Sequence, residues 1–176
     1  KFLLETNEYL KRTFENYAAN KKIHKVILDQ AVSPTNIKKT LNYFGNAKLI
    51  IVDRDPRDIY ANMIDKKMFL GVDILNDELT HKYIEWHRIV RQQSIQDVDN
   101  ASMQDKVLRL NFEDLFLHYE GTIKKIKEFL EIDFNHKDKG IKFCSKSIDK
   151  HVGIWKNSPN QDAMKYIETE LDEYCF

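Results

Sequence analysis

The sequence predicts an α/β protein, a parallel β-sheet flanked by helices, and three observations carry that expectation. Short apolar runs of strand type recur at residues 26–28, 49–52 and 107–110. Stretches with helical spacing of apolar residues lie between them. Each run stops abruptly at polar or aromatic residues (Asp29-Gln30, Asp53-Arg54 and Asn111-Phe112), as strands do when they hand over to a turn. Strands alternating with helices imply right-handed crossovers and a parallel sheet.

Taken in order, Phe2, Leu3, Tyr9, Leu10, Phe14 and Tyr17 predict an amphipathic helix over residues 2–19. Val26-Ile27-Leu28 is the first strand. Ser33-Pro34 opens a helix carrying Ile37, Leu41 and Phe44, and Gly45 closes it. Residues 49–52 form the second strand, followed by a helix from Pro56 that buries Ile59, Met63 and Tyr60. Residues 78–95 form the next helix, with Leu79, Tyr83, Trp86, Ile89 and Val90 inward. The third strand is 107–110, and a helix follows over residues 122–130. A polar loop at 146–156 leads to a last helix with Met164, Ile167 and Leu171. Without repeats or linker-like tracts, one domain over residues 1–176 is expected.

Lys+Arg and Asp+Glu balance at 28 each among 176 residues, so no global field recruits nucleic acid or an anionic membrane, and any basic site is local. No apolar run approaches the roughly 20 residues that span a bilayer. Cys144 and Cys175 lack metal or redox spacing, which favours a reduced compartment and a cytoplasmic location. The chain starts at Lys1 with no signal-like segment, as a processed product or part of a longer protein would.

Ligands of parallel sheets bind beyond the carboxyl ends of the strands, the edge where Asp29, Arg54 and Phe112 are expected. Three segments stand out. In the first, Asp55 is placed as N-cap, Pro56 fits the first helical position, and Asp58 can reach back to free amides. Arg54 then precedes a helix N-terminus, with Asn62 on the same helix face as Asp58. Two readings are balanced here, a phosphate clamp and a well-capped turn with surface charges. In the second, Lys150-His-Val-Gly153-Ile-Trp155-Lys156-Asn157, two lysines flank an aromatic ring and Gly153 frees the backbone. It suits a loop over an anionic aromatic ligand, although these residues alone favour a surface loop pinned by Trp155. In the third, Phe112 can stack on a base, and Glu113 and Asp114 read as bases, metal ligands or, preferably, residues that cap the next segment or hold a neighbouring loop.

In this order the segments resemble the PAPS-dependent sulfotransferases. Arg54-Asp-Pro-Arg-Asp-Ile-Tyr-Ala-Asn62 is similar to the family's 3′-phosphate motif, Arg-x-Pro-x-Asp followed by Ser. Leu110–Leu115 resembles its Tyr-Glu-Asp-Leu element, and the 122–130 helix with its Phe-Leu ending resembles the one that follows. Val152–Asn157 resembles its Gly-x-Trp-Lys segment. The resemblance spans roughly residues 26–170. It implies a P-loop NTPase-like fold and sulfuryl transfer from 3′-phosphoadenosine 5′-phosphosulfate (PAPS) to a hydroxyl or amine. The bisphosphate PAP is then the product, carbohydrate the commonest acceptor, and no metal is required.

By the same resemblance Arg54 and Asn62 hold the 3′-phosphate, and Phe112 contacts adenine with its ring but without the family's hydroxyl. Lys150, Trp155 and Lys156 line the cofactor, Lys150 as the nearest cation to a basic run that is poorly preserved here. The family's Gly-containing loop for the 5′-phosphosulfate has no counterpart in residues 1–25 and is expected upstream of Lys1. Asp29 is the expected acceptor-side base, while His24 lies at the wrong strand end and His87 and His118 read as structural or surface histidines. The stretch 66–76 and the loop 96–105 are expected to line the acceptor. Two alternatives stand beside this reading, a P-loop-type kinase and a degenerate nucleotide-binding module without turnover.

Overall fold

A computed structural model describes residues 1–19, 25–66, 68, 77–99, 103–135 and 145–176. His24, Cys144, most of the 66–76 stretch and residues 100–102 of the 96–105 loop lie outside the described residues. The elements are α1 (Phe2–Ala18), α2 (Ile37–Leu41), β1 (Leu49–Asp53), α3 (Pro56–Asp65), α4 (Asp77–Val98), β2 (Val107–Asn111), α5 (Asp114–Leu117), α6 (Tyr119–Leu130) and α7 (Gln161–Glu170). Short 3-10 turns occupy Ser145–Lys150, Ile154–Asn157 and Asp172–Tyr174. The expected α/β class with a parallel sheet is observed: β1 and β2 run parallel, closed by Leu49 N–H on Lys106 O (2.7 Å) and Phe112 N–H on Asp53 O (2.6 Å).

The sheet has two strands among the described residues, not three. Val26, Ile27 and Leu28 are exposed coil. A run of three apolar residues becomes a strand only when a neighbour takes its amides and carbonyls, and no described segment does so.

The chain divides into two compact units, residues 1–49 with 90–107, and residues 50–89 with 108–176. In the first, Ile37, Leu41 and Met103 are buried, and Asp97 Oδ2 accepts the Ile37 N–H (2.9 Å), satisfying a free amide at the start of α2. The amphipathic helix α1 forms as expected but buries none of its residues, leaving Phe2, Leu4, Tyr9 and Tyr17 exposed. α2 is shorter than its apolar pattern suggested, because residues 42–44 finish in turns.

The second unit holds the larger core. Tyr60, fully buried, hydrogen-bonds Thr80 (3.0 Å) and packs against Tyr83 with ring centroids 4.8 Å apart. Tyr83 donates to Pro56 O (2.6 Å). Met164, Ile167 and Leu171 are buried as expected.

Two expected inner faces are rotated. On α4, Trp86 and Ile89 are exposed, whereas Thr80, Ile84, His87 and Ser94 are buried. On α3, Ile59 and Met63 are half-buried, whereas Arg57, Asp58, Ala61 and Ile64 are buried. Polar residues occupy these faces where they find partners, as Thr80 does, which hydrophobic periodicity does not register.

Among the described residues His87 has no partner for its buried Nε2, and it sits among the rings of Tyr83, Trp86 and Tyr174. Burial pushes its imidazole from the ordinary 6.5 down to about 4. The unfolded chain therefore takes up this proton first as pH falls, and the stability associated with neutral His87 is lost from 6.5 down to about 4. Between pH 7.5 and pH 5 the wild type should lose about 2 kcal/mol more unfolding free energy than His87→Leu. Urea titrations at the two pH values measure this, and equal losses in both proteins would refute the assignment.

Candidate functional site

The site is built on the turn from β1 into α3. Asp55 caps α3, its Oδ1 accepting the Arg57 N–H (2.8 Å), and Pro56 takes the first helical position, both as the sequence suggested. Asp58 does not reach back along its own helix. Its Oδ2 accepts the Gly153 N–H (2.7 Å) and its Oδ1 the Trp155 N–H (3.0 Å), so α3 holds a segment nearly a hundred residues away. The Asp58 carboxyl is raised above its ordinary value by burial, against the pull of those two amides.

Arg57 gathers most of the remaining polar groups. Its Nε and Nη2 donate to the two oxygens of Asp55 (3.0 and 2.6 Å), its Nη1 to Glu168 (2.7 Å), and Nη2 also to Phe176 O (3.0 Å). The guanidinium lies 4.1 Å from the centroid of the Trp155 ring. The Phe176 N–H completes the Asp55 shell (3.1 Å). The Asp55 hydrogen bond raises the Arg57 pKa most, against desolvation. With its donors committed in this way, Arg57 is a structural ion.

Glu113 accepts the Asp55 N–H (3.0 Å) through Oε1, so it holds the neighbouring turn and makes no side-chain cap on α5. Its Oε2 is buried without a partner among the described residues, and burial raises its carboxyl above the ordinary value. Asp53 is held by Arg109 across the two strands (3.0 and 2.8 Å). A cavity of about 420 Å³ lies among these groups, bordered by Asp58, Glu113, Gly153, Trp155 and Lys156.

Arg54 faces a different set of neighbours. Its Nη2 donates to His151 O (2.7 Å), and its guanidinium lies 4.8 Å from the Phe112 ring centroid. Its Nε is buried without an acceptor among the described residues. The Phe112 ring also meets Phe116 at 5.3 Å, and His151 stacks on Phe116 at 5.3 Å. Gly153 takes the left-handed conformation (φ 70°) anticipated for it and opens the turn that carries Trp155 and Lys156.

Of the residues singled out from sequence, Arg54 and Phe112 are in direct contact. Trp155 is joined to the same turn through Arg57 and Asp58. Lys156 is exposed, 5.7 Å from the Trp155 ring centroid. Asn62 is half-buried on α3, and Lys150 is exposed at the end of its 3-10 turn; neither side chain has a hydrogen bond among the described residues. Asp29 lies in the first unit, exposed in a bend. His118, exposed, pairs with Asp114 (3.0 Å).

The linkages through Arg57, Asp58 and His151 were missed. Only the proximity of Arg57 and Asp58 to Arg54 hinted at them, because a charged residue's burial is invisible until its remote partner is known. Among the described residues no group of three or more His, Cys, Asp or Glu side chains is arranged to hold a metal, and no helix is long and apolar enough to cross a membrane.

A family profile described as the Sulfotransferase family matches residues 2–136, a span that contains the Arg54–Asn62 and Leu110–Leu115 segments. Comparison with curated proteins and with solved structures gave no match. A profile match over most of the chain, on an α/β fold with a parallel sheet, establishes that the chain belongs to the Sulfotransferase family.

Proposed function

We propose that the protein binds PAPS and transfers its sulfuryl group to a hydroxyl or amine, with carbohydrate the acceptor class to test first. The observation that carries this reading is Arg54. Its Nη2 is spent on His151 O and its face on Phe112, yet its buried Nε has no acceptor among the described residues. A buried donor without a partner costs roughly 1–3 kcal/mol, and an anionic oxygen beside it removes that cost. An aromatic face and a cation held together suit a purine nucleotide carrying a phosphate.

In this reading Arg54 binds and orients the 3′-phosphate, with Asn62 as a further donor from α3. Phe112 offers its ring to adenine. Trp155, held by Asp58 and Arg57, presents an aromatic wall, and Lys156 beside it an exposed cation. When bound, PAPS supplies an activated sulfuryl group, which leaves adenosine 3′,5′-bisphosphate behind after transfer.

The test compares ligands that differ at the 3′ position. At a hundredfold excess over Kd, adenosine 3′,5′-bisphosphate should raise the unfolding free energy by about 2.7 kcal/mol. ADP should stabilise less, and Arg54→Ala should remove the difference. Greater stabilisation by ADP with Mg²⁺ would replace this reading with the kinase, and no stabilisation by either nucleotide would favour a degenerate module.

A further inference from the structure

The resemblance assigned the second cation of the nucleotide site to Lys150. In the structure Lys150 is exposed and unbonded among the described residues, while His151, also exposed, meets Arg54 through its backbone carbonyl. We propose that His151 is a second phosphate-binding donor beside Arg54, in the place assigned to Lys150. The inference rests on the nucleotide reading above and adds a residue to it.

Four observations hold His151 there. Its carbonyl accepts from Arg54 Nη2 at 2.7 Å, and its own N–H donates to Ile148 O at 2.9 Å, so its backbone is bonded on both sides. Its ring stacks on Phe116, with centroids 5.3 Å apart and planes 25° from parallel. The same ring meets Phe112 edge-on at 6.5 Å and 74°. Neither ring nitrogen has a hydrogen bond among the described residues. The side chain is thus oriented by aromatic packing while its donors stay unspent, which is how a preorganised ligand group is made.

Arg54 supplies the permanent charge of the patch. The imidazole, which meets the same Phe112 ring as Arg54, adds an N–H that a phosphate oxygen can accept. Two aromatic rings in the same cluster give the base a surface. The shared chemistry is that of an aromatic base joined to a phosphate, and adenosine 3′,5′-bisphosphate is the probe.

Calorimetric titration with adenosine 3′,5′-bisphosphate tests the assignment on the wild type and on His151→Ala, His151→Phe, Lys150→Ala and Arg54→Ala. Loss of one charge-assisted hydrogen bond should raise Kd about tenfold in His151→Ala. His151→Phe keeps the ring packing and loses the donors, so it should weaken binding equally. Lys150→Ala should stay within about twofold of wild type. Wild-type affinity in His151→Phe would show that the ring's packing matters and its nitrogens do not, which overturns the proposal. A larger loss in Lys150→Ala than in His151→Ala would overturn it as well. If Arg54→Ala weakens binding and neither His151 variant does, this inference falls and the nucleotide reading stands. If the wild type does not bind the bisphosphate, both fall.

Discussion

Arg57→Ala should destabilise the protein by about 3–5 kcal/mol, the range expected when a buried ion pair loses one partner. The Asp55 and Arg57 side chains are only 3% and 5% exposed, and they pair at 2.6 Å. Truncation leaves the Asp55 carboxylate buried, with only the backbone N–H groups of residues 57 and 176 among the described residues to hold its charge. Glu168, half exposed, regains water and contributes little to the loss. Trp155 loses the cation on its ring, a smaller effect of about 1 kcal/mol.

Lysine should be a poor substitute. One ammonium cannot serve both oxygens of Asp55, Glu168 and the Phe176 carbonyl while lying flat on an indole. Adding Asp55→Asn to Arg57→Ala removes the stranded charge and keeps a good N-cap, so the double variant should be more stable than Arg57→Ala alone. Urea unfolding of the three variants decides the matter. A loss below about 1 kcal/mol in Arg57→Ala would mean that Asp55 is solvated in a way this geometry does not contain.

What was legible in the sequence is what local physics decides. Asp55-Pro56 reads as a helix start because N-cap and first-turn preferences depend on residues a few positions apart, and the cap forms as expected. Gly153 reads as a backbone of unusual conformation for the same reason. The runs at 49–52 and 107–110 become paired strands. The run at 26–28 does not, because a strand is a property of two segments and no described segment pairs with this one. Asp58 illustrates the limit best. Its spacing suggested a local cap, yet it bonds amides at 153 and 155, a choice set by tertiary packing. The buried faces of α3 and α4 were misplaced for a related reason. Hydrophobicity ranks Arg57, Thr80 and His87 as outward residues, and a remote partner or an aromatic pocket turns them inward.

Asp58→Ala should cost about 3–5 kcal/mol, since two hydrogen bonds to a charged acceptor are worth about 1.5–3 kcal/mol each and both amide donors are stranded. Asp58 is almost fully buried, and with Arg57 it ties the start of α3 to the Gly153–Trp155 segment. Asparagine keeps the shape but offers one acceptor oxygen in place of two, so Asp58→Asn should lose roughly half as much. The damage should also be local, because the exposed Lys150 and Lys156 bracket the anchored residues. Trypsin should therefore cut Asp58→Asn after these lysines faster than it cuts the wild type, under conditions where both remain folded. Cleavage rates that match the wild type would show that the other contacts of this segment, Arg57 on Trp155 and Arg54 on His151 O among them, hold it without Asp58. Faster cleavage with unchanged global stability would assign Asp58 to ordering one loop, and through that loop to presenting Trp155 and Lys156.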